Sequence, residues 1–171
     1  PALETVLTFI PGAGETGAAL IEQVDLVCFT GSVATGKVVA AAAAKRMIPA
    51  FLELGGKDPA IVLASADMDQ AASALLWASV VNAGQSCLSI ERIYVDRRVC
   101  DRFINTLVKK AQQLQLAYPE PSSGQIGPII AKRQADLIQT HLDDALNKGA
   151  TVQCGGTIEH LGGGLWLQPT V

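Results

Sequence analysis

The sequence predicts an α/β protein: the second half of a doubly wound parallel sheet, followed by a further α/β unit. Three observations carry this. Strand-length apolar runs alternate with helix-length segments at short spacing over residues 3–54, the pattern of βαβ units with right-handed crossovers. The run Leu26-Val27-Cys28-Phe29-Thr30 is continuous rather than alternating, as in a strand of a parallel sheet covered on both faces. Charged residues make up 17% and hydrophobic residues 49% of the 171, against about 25% charged in an average soluble domain, so much of the chain should be buried.

The elements follow in order. Residues 3–10 form a strand rich in Leu, Thr, Val, Phe and Ile, punctuated by Pro11-Gly12-Ala13-Gly14. A short helix covers 15–22 and a strand 26–30. Gly31-Ser32 turns into a helix reaching about Arg46, with Ser32 as N-cap and Lys45-Arg46 complementing the C-terminal dipole. A strand at 50–54 is closed by Gly55-Gly56. Three strands are half of a full doubly wound sheet.

Beyond the glycines a strand is expected at 60–63. Asp67 caps a helix to about Ala83, with Ala71, Leu75, Ala78 and Val81 on one face and Gly84 as C-cap. Gln85-Ser86-Cys87 is a tight loop. A strand over 89–95, an amphipathic helix over 99–116, a Pro/Gly/Ser-rich loop at 117–128 and a second amphipathic helix over 131–148 follow. The chain closes with a strand at 151–154, glycine-rich turns and an extended stretch, 165–171. It opens on Pro rather than Met and ends on Pro169-Thr170-Val171, so both ends are expected to be cuts through a larger fold.

Composition excludes several classes. Thirteen Lys and Arg stand against sixteen Asp and Glu, a net charge of −3 without a dense basic block, which argues against nucleic acid. The longest apolar stretch, 38–44, is far short of the roughly 20 residues that span a bilayer. Cysteines 28, 87, 100 and 154 show no CxxC spacing and no nearby histidine, so neither zinc nor a disulfide framework is expected. The expected compartment is a reducing cytoplasm.

Three segments could carry chemistry. Gly31-Ser32-Val33-Ala34-Thr35-Gly36 opens a helix after an apolar strand, where backbone N–H groups and the dipole suit a phosphate; the spacing is not GxGxxG, and on pattern alone an ordinary tight β–α turn is the favoured reading. Glu53, in Phe51-Leu52-Glu53-Leu54-Gly55-Gly56, is expected to be partly desolvated, which suits a general base, or else to face water from an edge strand. Cys87 lies in a loop with small neighbours, as an accessible nucleophile near backbone donors would. Cys28, Cys100 and Cys154 read as buried structural thiols. His141 and His160 have no sequence support as partners of a thiol.

Together these residues resemble the aldehyde dehydrogenase superfamily. Phe29-Thr30-Gly31-Ser32-Val33-Ala34-Thr35-Gly36, Leu52-Glu53-Leu54-Gly55-Gly56-Lys57-Asp58-Pro59 and Gly84-Gln85-Ser86-Cys87 are similar to its three signature segments in order and separation, with 34 positions from Glu53 to Cys87. Ile126-Gly127-Pro128 and Gln168-Pro169-Thr170-Val171 resemble further landmarks. The resemblance implies a Rossmann-like half over 1–53, the end of an NAD(P)-binding domain, and a catalytic domain over 54–171. It implies that Cys87 attacks the aldehyde carbonyl, that hydride leaves to the nicotinamide of NAD or NADP, and that Glu53 activates the water that hydrolyses the thioester. The N–H of Cys87 would meet the oxyanion. Gly31, Ser32 and Gly36 would serve the pyrophosphate, and Leu54, Gly55 and Gly56 the nicotinamide.

Departures from the family are equally specific. The oxyanion asparagine, the lysine and acidic residue at the adenosine ribose, and the Glu–Phe segment at the nicotinamide ribose all belong to family segments outside these 171 residues. The expected affinity of these residues alone for NAD(P)+ is therefore about millimolar or weaker. A rival reading is a cofactor-independent thiol esterase using the same Cys and Glu; another is an inactive truncated form. The expected partner is a small-molecule aldehyde or ester, with no nucleic acid and no membrane, and a homo-oligomer stays open. Ser86-Cys87-Leu88-Ser89-Ile90-Glu91-Arg92 is similar to semialdehyde and broad-range members.

Overall fold

The structure is a computed structural model and describes residues 6–171. The chain divides into two compact units, Pro1–Gly56 and Lys57–Val171.

The first unit is a single βαβ crossover preceded by a helix. Helix α1 (Gly14–Ile21) leads to β1 (Val27–Gly31), α2 (Val33–Lys45) and β2 (Ala50–Leu54). Strands β1 and β2 are parallel, with Cys28 beside Phe51, Thr30 beside Glu53 and Gly31 beside Leu54. Ser32 caps α2 as expected, its Oγ accepting the Thr35 N–H at 3.1 Å. Arg46 does more than complement its own helix. Its guanidinium donates to the carbonyls of Ile21, at 2.5 Å, and Val24, at 2.8 Å, closing the C-terminal end of α1. Ile21, Val39 and Ala43 are the buried large or aliphatic side chains of this unit among the described residues.

Two expectations fail here. The strand expected at 3–10 is absent over its described part: Val6, Leu7, Phe9 and Ile10 are exposed and enter no ladder, because strand structure needs a neighbour to take its backbone bonds. Its first residues, 3–5, lie outside the described residues. Cys28 is exposed rather than buried. Leu54 lies against Gly36 of α2, so strand alternation turns Cys28, Thr30, Phe51 and Glu53 to the opposite face, which the unit leaves uncovered.

The second unit has its own core. Strands β3 (Asp58–Val62) and β4 (Ile90–Val95) are parallel. Between them runs α3 (Met68–Val80), capped by Asp67 through the Gln70 N–H at 2.9 Å; α4 (Cys100–Ala111) follows β4. Val62, Met68, Ala72, Leu76, Phe103, Leu107 and Ala111 form one buried cluster. The buried line of α3 is thus Met68-Ala72-Leu76, one position off the expected one; Ala71 and Leu75 are only partly buried at its edge. Helix α3 also ends three residues early. Asn82, Ala83 and Gly84 all have φ between 55° and 71°, which no right-handed helix accommodates, so Gly84 is not its C-cap.

Helix α4 stops at Ala111 rather than 116. Helix α5 (Lys132–Asn147) is as expected. The glycine-rich stretch hides a hairpin, β5 (Ile158–Leu161) and β6 (Gly164–Leu167), antiparallel and turned at Gly162-Gly163 with φ of 57° and 80°, the positive values a two-residue hairpin turn requires. The strand expected at 151–154 is absent. Its backbone bonds go to one residue, Val171, too few for a ladder. Cys100 and Cys154 are half-buried. Among the described residues no helix is long and apolar enough to cross a membrane.

Candidate active site

Cys87 occupies a built turn. After α3 the chain turns through Asn82, Ala83 and Gly84 in the left-handed region, and Ala83 holds φ 56°, ψ 34°, a conformation that costs a residue with a Cβ about 1–3 kcal/mol. Three hydrogen bonds join Gln85 to Asn82: the Gln85 N–H and Nε2 both donate to the Asn82 carbonyl, at 3.1 and 3.2 Å, and Asn82 Nδ2 donates to the Gln85 carbonyl at 3.0 Å. The Ser89 N–H donates to the Ser86 carbonyl at 3.2 Å and the Leu88 N–H to Ser86 Oγ at 3.2 Å. Those bonds close the turn Ser86-Cys87-Leu88-Ser89 and leave the Cys87 N–H without an acceptor among the described residues. The thiol itself is free and exposed. An exposed thiol beside an unspent backbone donor can add to a carbonyl and stabilise the oxygen that becomes charged. An apolar cavity of about 600 Å³ lies in the same unit, lined by Leu76, Phe103, Ile129 and Leu167 among others. Cys87 does not line it.

Glu53 is the next-to-last residue of β2 and is exposed, the water-facing one of the two arrangements its sequence left open. The reason is the uncovered face of the two-stranded sheet. Its carboxylate has no ion-pair or hydrogen-bond partner among the described residues.

The Gly31–Gly36 turn fits a phosphate. The first N–H groups of a helix have no intrahelical acceptor, and here Thr35 is served by Ser32 Oγ and Gly36 by the Ser32 carbonyl, at 3.1 and 2.8 Å. Among the described residues that leaves Val33 and Ala34 as unspent donors at the positive end of the 13-residue α2. Ser32 Oγ and Thr35 Oγ1 share a hydrogen bond at 2.9 Å, so one of their two hydroxyl protons remains for an anion. Gly36 acts differently from a phosphate donor. It is buried, and a Cβ there would stand 2.6 Å from Leu54 Cδ2; its lack of a side chain lets β2 approach the first turn of α2. Leu54 is the other half of that contact. Gly55 is exposed with open space around its Cα.

The residue missed at the sequence level is Gln85. Its amide reaches Pro128 and Ile130, and nothing in its loop context announces partners more than forty residues away.

The sequence pattern of the aldehyde dehydrogenase family matches residues 4–171. The chain belongs to the aldehyde dehydrogenase family. The solved structure of PutA from Anabaena variabilis superposes with a TM-score of 0.96 at 61% identity, covering 98% of this chain and 36% of that one. Betaine aldehyde dehydrogenase from Staphylococcus aureus, solved in complex with NAD+, superposes with a TM-score of 0.88 at 34% identity, covering 94% and 33%. The 2-hydroxymuconic semialdehyde dehydrogenase of Pseudomonas putida is 39% identical over 166 residues, 94% of this chain and 34% of that protein. The chain therefore spans about a third of the length of the aldehyde dehydrogenases it matches.

Proposed function

We propose that this chain carries the nucleophile and the base of an NAD(P)-linked aldehyde dehydrogenase, which oxidises an aldehyde to a carboxylic acid. The observation that supports it most directly is the exposed Cys87 thiol on a closed turn whose own N–H is unspent. The Cys87 thiolate adds to the aldehyde carbon, and the Cys87 N–H donates to the resulting oxyanion. Bound NAD or NADP supplies the hydride acceptor. Val33, Ala34 and the Ser32–Thr35 hydroxyl pair hold its pyrophosphate, with Gly31 opening the turn; Gly36 and Leu54 set the spacing beneath, and Gly55 offers bare backbone. Glu53 takes a proton from the water that hydrolyses the Cys87 thioester.

The names of the relatives support a semialdehyde or another small aldehyde as substrate. Four free cysteines suit a reducing cytoplasm. The same thiol and carboxylate can hydrolyse an activated ester without cofactor, so ester turnover reads their chemistry separately from the redox step.

The experiment measures aldehyde-dependent NAD(P)H formation beside p-nitrophenyl acetate hydrolysis in the parent, Cys87→Ser and Cys28→Ser. Both activities should vanish in Cys87→Ser and survive in Cys28→Ser. Loss of either activity with Cys28 but not Cys87 would remove Cys87 as the nucleophile.

A further inference from the structure

The side chain of Gln85 joins segments distant in sequence. Its Nε2 donates to the Pro128 carbonyl at 3.1 Å and faces the Asn82 carbonyl at 3.2 Å, while its Oε1 accepts the Ile130 N–H at 2.8 Å. Both donors and the acceptor of the amide are thus in use. On the near side lies the left-handed run Asn82-Ala83-Gly84; on the far side, Ser86 closes the turn that carries Cys87. No other side chain among the described residues bonds the 82–89 loop to another segment.

We infer that Gln85 is the positioning residue of the nucleophile turn: its amide clamps the loop to the segment 128–130 and so fixes the direction in which the Cys87 thiol is offered. This rests on the reading of Cys87 as nucleophile. Attack on a bound carbonyl demands a short, aligned approach, and a misplacement of about 1 Å costs on the order of 10²-fold in rate. A freely diffusing alkylating reagent makes no such demand. Loss of the clamp should therefore separate the two kinds of reactivity.

Gln85→Leu keeps the shape and removes every hydrogen bond of the amide. In the full chain, single-turnover acylation of Cys87 by p-nitrophenyl acetate should fall about 10–100-fold at saturation. Half-saturation and alkylation of Cys87 by iodoacetamide should each stay within about threefold. Hydrogen exchange should accelerate at the amides of Leu88, Ser89 and Ile130 and stay unchanged in α4. Unchanged exchange at Leu88 and Ser89, or unchanged acylation, overturns the clamp. So does faster exchange throughout the unit with faster labelling of Cys100 and Cys154, which marks a general loosening. Ester turnover that survives Cys87→Ser overturns instead the nucleophile reading, and with it the part given to Gln85 in the chemistry, whatever the exchange at Ile130.

Discussion

Gly36 offers the most direct test of how the first unit is put together. A methyl on its Cα would stand 2.6 Å from Leu54 Cδ2, 3.0 Å from Cδ1 and 3.4 Å from Cγ. Replacing Gly by Ala in a helix ordinarily stabilises by about 0.5–1 kcal/mol through lower backbone entropy in the unfolded chain. Here the new methyl must drive Leu54 out of its place, and overpacking of this kind costs about 1–3 kcal/mol. Gly36→Ala should therefore destabilise the unit by about 0–2.5 kcal/mol, the difference of the two effects. In a Leu54→Ala background the obstruction is gone, so the same substitution should stabilise by about 0.5–1 kcal/mol. The two changes together give a coupling of about 1–3 kcal/mol. Urea unfolding of the parent, both single variants and the double variant, followed by circular dichroism, measures it. Additivity of the two substitutions within about 0.5 kcal/mol would mean that Gly36 and Leu54 do not meet, and the packing given to the first turn of α2 would be wrong.

The remaining predictions concern chemistry and stability. Glu53→Gln should slow deacylation by about 10²–10⁴-fold and leave acylation nearly intact, so an acyl-enzyme accumulates; mass spectrometry of the trapped thioester detects it, and parent-like turnover would take Glu53 out of the mechanism. Arg46→Ala removes two charged hydrogen bonds to carbonyls at the end of α1 and should destabilise the first unit by about 1.5–3 kcal/mol in the same urea assay. Asp96 accepts from both the side chain and the backbone N–H of Arg98. These bonds lower its carboxyl to about 2, against about 3.9 in an unfolded chain. A lowered folded-state value stabilises above about pH 4 and fades as the pH falls toward 2. The stability gap between parent and Asp96→Asn should accordingly narrow from pH 5 to pH 2, and a gap that stays constant would show the Arg98 bonds to be absent in solution.

Local chemistry made much of this protein legible in its sequence. Ser32 and Asp67 stand where a side-chain oxygen can serve the first free N–H groups of a helix, and both do so. The run 50–54 lies between turn residues and forms β2 at those bounds. Helix α4 carries its apolar residues at Phe103, Leu107 and Ala111 among charged ones, and that spacing can bury only one face. The three family segments were equally legible, since each is a short contiguous string whose meaning lies in residue type and separation. What tertiary structure alone decided were matters of partnership. Helix α3 is apolar nearly all round, so its own pattern could not choose between Ala71-Leu75 and Met68-Ala72-Leu76; packing against Phe103 and Leu107 made the choice. Residues 6–10 have strand composition and no neighbouring strand, while 158–161 look like a turn region and find β6. Cys28 and Glu53 sit in apolar strands, yet they are exposed because the helix of a single crossover covers one face of the sheet. Gln85 reads as one polar residue in a loop, and two of its three amide bonds exist only because the fold returns the chain to Pro128 and Ile130. A sequence states what each residue can offer its immediate neighbours, and the distant groups that accept the offer are fixed only when the chain has closed on itself.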